Sequence, residues 1–118
     1  MKITVPVSVG ELLDKISILE IKLLFTDNEY VKNELEELNK IKSSLKQYNL
    51  EYEVQLKKVN ETLWKIEDRI REKEKLQEFD DEFIELARSV YKNNDKRADI
   101  KKKINELTNS IYKEVKIY

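Results

Sequence analysis

One glycine and one proline in 118 residues leave this chain almost without helix breakers, and that scarcity constrains its fold more than any motif does. Apolar residues also recur three and four apart, the period of one face of an α-helix. Leu56, Val59, Leu63, Ile66 and Ile70 make one such stripe. Val31, Leu35, Leu38, Ile41 (or Lys42) and Leu45 make a narrower one at heptad-like spacing. The spacing predicts an all-α fold, an antiparallel helical bundle of about four helical segments in a single domain over 1–118.

Boundaries follow from local chemistry. Residues 1–8, which include Pro6, read as a short extended N-terminal arm or an edge strand. Ser8-Val9-Gly10-Glu11 has the form of a capping box and opens a helix over 9–25. Thr26-Asp27-Asn28-Glu29 repeats that logic before a helix over 27–46. Gln47 to Tyr52 is the expected connection, with Asn49 as its turn residue. Helices over 52–77 and 81–116 follow, the last one capped by Asp80. Unbroken, that long C-terminal helix would span roughly 50 Å at 1.5 Å per residue. Asn93-Asn94-Asp95 is the place where side chains competing for the backbone would kink or split it. The first helix is apolar nearly all round, so it is expected at the centre of the bundle or beneath a second subunit, and a homo-oligomer is expected.

Composition narrows the function by exclusion. Hydrophobic and charged residues each make up 40%, and the formal charge of −1 offers no basic excess for a nucleic-acid polymer. Cysteine and histidine are both absent, which removes disulfides, thiol nucleophiles, histidine acid–base catalysis and ordinary zinc sites. No metal, cofactor or catalytic residue is expected. No apolar run approaches the ~20 residues that cross a bilayer, so a cytoplasmic protein without membrane association is the default. Asn60-Glu61-Thr62 matches a glycosylation sequon but lies in a helical pattern, where it reads as chance.

A break in the last stripe carries the functional signal. From Phe83 to Val115 one face carries Phe83, Ala87, Val90, Ile104, Thr108 and Val115, yet Asn94, Arg97 and Lys101 sit in its middle. Cations on a core-facing stripe must meet carboxylates, water or an anion, because bare burial is costly. Glu20, on the face of Leu13, Ile16 and Leu24, is the expected buried carboxylate and the expected partner of Arg97 or Lys101. Glu67 is a second carboxylate for these cations. Trp64 is suited to wall a pocket or stack on a planar ligand. Arg71 flanks the third stripe with Glu67, and Arg88, Tyr91 and Asp95 form a row beside the break. Arginine forks onto phosphate or carboxylate and lysine adds a point charge. The pattern therefore points to a non-catalytic, oligomeric binding protein for an anionic small molecule of nucleotide or sugar-nucleotide type. An all-helical enzyme of the chorismate mutase kind, working by electrostatic stabilisation, is one alternative. A structural adaptor that recruits another coiled coil or a glycosyltransferase is the other.

PVSVGELLDKISILEIK, LWKIEDRIREKE and FIELARSVYKNNDKRADIKKKIN resemble the motifs of a small bacterial and phage family, a domain of unknown function found near surface-polysaccharide genes. The terminal KEVKIY resembles that family's Glu-Glu-Lys-x-Tyr ending, with Val115 departing from the second acidic position. The resemblance groups Glu11, Asp14, Lys15, Glu20, Lys22, Trp64, Glu67, Arg71, Arg88, Tyr91, Asn94, Asp95, Arg97 and Lys101, and implies no established reaction. It raises the expectation of a role linked to surface-polysaccharide synthesis; size, helicity and the proposed pocket add, for a phage relative, that of a sponge for a host nucleotide immune signal.

Overall fold

In the computed structural model, which describes residues 1–46 and 49–117, each helix begins where the sequence supplies a side-chain oxygen for its first amides. Ser8 Oγ accepts from Glu11 N at 3.1 Å, Asn28 Oδ1 from Tyr30 N at 2.8 Å, Asn49 Oδ1 from Glu51 N at 2.8 Å and Asp80 Oδ1 from Phe83 N at 3.0 Å. The helices are α1 (Val9–Lys22), α2 (Glu29–Ser43), α3 (Leu50–Leu76) and α4 (Asp81–Leu107), and no strand occurs among the described residues. The arm before Ser8 is irregular rather than an edge strand. Gln47 and Tyr48, in the expected connection, lie outside the described residues.

Helix ends depart from the sequence pattern where short turns intervene. The first helix stops at Lys22 rather than residue 25, because Leu24 N and Phe25 N turn back to Ile21 O and Lys22 O. That turn lays the Phe25 ring flat on Trp64, centroids 5.3 Å apart. The last helix stops at Leu107 rather than 116. Asn109 adopts φ 51° and Ser110 N bonds Asn105 O at 3.0 Å, a left-handed closure that apolar spacing through Thr108 and Val115 does not reveal. No break occurs at Asn93-Asn94-Asp95; Asn93 Nδ2 bonds Ser89 O one turn back, at 2.9 Å, and the helix continues.

Between α3 and α4 the chain reverses through Gln77, at φ 56°, with Glu78 N bonded to Lys73 O. The buried Lys73 ammonium meets Asp80 at 2.7 Å, Glu78 at 3.1 Å and Glu82 at 3.4 Å. Its hydrogen bond holds the Asp80 carboxyl below the ordinary value of 3.8, with help from Phe83 N. A depressed carboxyl stabilises the fold above its unfolded pKa, and that contribution disappears as pH falls through the folded value. Lys73, raised from 10.5 chiefly by the same hydrogen bond, stays charged across the acid range, so it is protonation of Asp80 that ends their shared contribution. Acidification below about pH 4 is therefore expected to loosen this turn first. Amide exchange at Phe83, followed by NMR from pH 6 downward, checks it; exchange unchanged relative to mid-helix amides would refute it.

The core sits where α1 crosses α3 and α4: Leu12, Leu13 and Ile16 pack with Leu56, Val59, Ile100 and Ile104, and Leu56 is wholly buried. Helix α1 touches the other three helices, as its apolar circumference predicts. Leu35 and Leu38 of α2, with Leu45 just beyond it, close one side of the core, and Lys42 bridges to Glu53 of α3. Helix α4 runs antiparallel to both α3 and α1, pairing Glu82 with Arg69 and, further on, Arg97 with Asp14. With 14 residues α1 is about 21 Å long, against about 40 Å for the 27-residue α3 and α4. The α3–α4 hairpin therefore outruns its cover, in a molecule measuring 47 × 35 × 28 Å. Ala87, expected inside, is consequently exposed. Among the described residues no helix is long and apolar enough to cross a membrane.

Candidate functional site

The break in the stripe is closed by the N-terminal half of α1. Asp14 is almost fully buried, and Arg97 forks onto it, with Nε 2.9 Å from Oδ1 and Nη2 on Oδ2. Asn60 of α3 donates to Asp14 Oδ1 at 2.9 Å and to Ser17 Oγ at 2.7 Å, and Ser17 Oγ donates to Asp14 O. Arg97 also reaches Asn94 Oδ1, at 3.4 Å. One turn along, Lys101 Nζ lies 2.9 Å from Glu11 and 3.0 Å from Glu114, which belongs to the segment beyond α4. Glu11 thus serves Lys101 and does not complete the capping box with Ser8.

This network is welded to the start of α1. The first three amides of a helix have no partner within it. Here Val9 N donates to Ser110 Oγ at 3.1 Å, Gly10 N to Asn105 Oδ1 at 2.7 Å, and Glu11 N to Ser8 Oγ. One of those acceptors, Asn105, comes from the last turn of α4 and another, Ser110, from the turn just beyond it. Only glycine permits this approach: a Cβ on Gly10 would stand 2.9 Å from Asn105 Oδ1 and 2.9 Å from the Lys101 carbonyl oxygen.

Electrostatics follow the geometry. The Asp14 carboxylate holds the Arg97 guanidinium above its ordinary value, against the effect of burial. Burial on its own would lower the Lys101 ammonium, yet its hydrogen bonds to Glu11 and Glu114 carry it above its usual value. Both cations stay charged, and they face three carboxylates, Glu11, Asp14 and Glu114. The cluster is already neutralised, with negative charge to spare.

The sequence-derived site divides into parts. Asn94, Arg97 and Lys101 converge on α1. Glu20 does not join them: it is half-buried and bound to Lys57 at 3.2 Å, because it lies on the α3 side of α1. Asp95 meets Lys116 at 3.2 Å on the outer side of α4. Trp64 is half-buried under Phe25, which sequence spacing did not anticipate. Glu67, Arg71, Arg88 and Tyr91 are exposed on the part of the hairpin that α1 does not reach, so Glu67 neutralises neither interior cation. Arg88 pairs along its own helix with Glu85, at 3.0 Å.

Periodicity alone passed over Asp14, and the signal was there to read. Gly10, Asp14 and Ser17 form a row of small and polar residues at helical spacing along an otherwise apolar helix. Among the described residues no group of acidic side chains is arranged to hold a metal ion.

Fold and site together define an all-α bundle whose interior ions are matched to one another across α1, α3 and α4. The chain belongs to the Family of unknown function (DUF6165), whose model matches residues 1–118. Neither a curated protein nor a solved structure matches it.

Proposed function

We propose that this chain is a non-catalytic helical binding protein that works as a homo-oligomer. The observation that carries this reading is the uncovered face of the α3–α4 hairpin beyond α1. Ile84 and Tyr91, 51% and 55% exposed, flank the exposed Ala87 there at helical spacing. Beside them Glu67 and Arg71 stand four apart on α3, exposed and without an ion pair among the described residues. The occupant is a second copy of the chain. About a twofold axis between these two residues, Glu67 of each copy meets Arg71 of the other, so the charges are self-complementary.

The expected result is a dimer by sedimentation velocity, converted to a monomer by Ile84→Asp with Tyr91→Asp while far-UV circular dichroism is unchanged. A wild-type chain that stays monomeric across a concentration series overturns the proposal.

An anionic small molecule of nucleotide or sugar-nucleotide class remains the preferred ligand, within which a phage sponge or a polysaccharide-linked role would fall. Arg97 is committed to Asp14, so an anion at Lys101 would have to displace Glu114. The same commitment of both cations weighs against an enzyme of the chorismate mutase kind, which needs them free for its substrate.

A further inference from the structure

A second cationic surface lies on the opposite side of the same hairpin, and it is not neutralised. Lys58 and Thr62 sit two residues either side of Asn60, while Asp99 and Lys103 each sit two residues from Lys101. Residues two apart on a helix point away from each other, so this surface faces away from α1. Gln55, Lys58 and Thr62 from α3 meet Asn93, Lys96, Asp99 and Lys103 from α4 around a cleft of about 390 Å³, floored by Val59 and Ile100. Among the described residues Lys58, Lys96 and Lys103 have no carboxylate partner, unlike Lys73, Arg97 and Lys101. A chain of net charge −1 that matches its interior cations so closely leaves three ammoniums and one carboxylate around this cleft.

We infer that this cleft is the site for the anionic ligand, and that the ligand carries a diphosphate. The inference rests on the anionic-ligand reading above and gives it a different location. Lys96 and Lys103 stand two turns apart on α4, about 10 Å, with Lys58 across from them on α3. Flexible lysine stems let all three reach one elongated anion with charge at both ends, whereas a single phosphate spans only part of that distance. The amides of Gln55 and Asn93 each keep one hydrogen beyond those given to Glu51 and to Ser89 O, while the Thr62 hydroxyl is spent on Lys58 O; the apolar floor suits an organic group attached to the phosphates. The volume lies within the roughly 300–1,000 Å³ of small-molecule sites, and so few cations in so short a cleft fit a small ligand better than a polymer.

The test is titration with inorganic pyrophosphate, read by calorimetry and by amide chemical shifts. Saturable binding is expected, with shifts concentrated at Lys58, Thr62, Lys96 and Lys103. Lys96→Ala with Lys103→Ala should weaken it at least tenfold, while arginine at both positions keeps it. These residues are solvent-exposed, so circular dichroism should show the variants folded. Saturable binding with shifts at Gly10, Lys101 and Asn105 instead would overturn the cleft and leave the anionic-ligand reading standing. No saturable binding at either place would overturn both.

Discussion

Replacing Asp14 by alanine is expected to destabilise the chain by about 3–5 kcal/mol, the range for removing one partner of a buried ion pair. Arg97 would keep its charge with Asn94 as its remaining hydrogen-bond partner and the Glu11 and Glu114 carboxylates farther off, and Asn60 would lose one of its two acceptors. Urea denaturation measures the effect, and a loss below about 1 kcal/mol would mean the pair is solvated in solution. The geometry also reverses a simpler expectation for this cluster. Under the structural-adaptor alternative, in which these cations only hold the bundle together, replacing Arg97 and Lys101 together by leucine would raise thermal stability. The structure predicts the opposite, because Asp14 would then be buried with Asn60 and Ser17 as its remaining polar neighbours. Adding Asp14→Leu should recover much of the loss, since a buried pair replaced on both sides by apolar residues is often neutral or stabilising.

Gly10→Ala carries the second large effect, and its sign opposes helix propensity. In an exposed helix interior this change would stabilise by about 1 kcal/mol. Here the added Cβ meets the Lys101 carbonyl oxygen, part of the α4 backbone, as well as the Asn105 amide. The side chain has some freedom to move, but the backbone moves only if α4 shifts away from α1. Overpacking of that kind costs about 1–3 kcal/mol, so a net loss is expected. The shift would also lengthen the Gly10 N–Asn105 Oδ1 hydrogen bond and loosen the ion pairs beside it. A thermal melt of the variant reads the sign directly. A raised midpoint would show that the two helices separate at no cost.

How much of this was legible in the sequence depends on the range of the interaction involved. Caps are local, so Ser8 and Asp80 were readable as helix starts. The stop after Leu107 is local too, but it rests on Asn109 in a left-handed conformation, which apolar spacing does not register. The exposure of Ala87 was not readable at all. It depends on α1 ending well short of the hairpin tip, a matter of relative helix length and placement rather than of the α4 pattern.

The candidate site divides the same way. Asn94, Arg97 and Lys101 announced themselves as polar residues on a buried stripe, because a helix repeats its faces every 3.6 residues. The sequence by itself therefore determined an all-helical chain, the starts of its first and last helices and the position of a polar break within its last helix. Only the tertiary structure decided that Asp14 answers Arg97 while Glu20 turns to Lys57. Periodicity states which face a residue occupies, but not which residue of another helix lies opposite. That register is set by the close approach of α1 to α4 at Gly10, where a missing side chain lets Asn105 cap the helix and brings Asp14 level with Arg97.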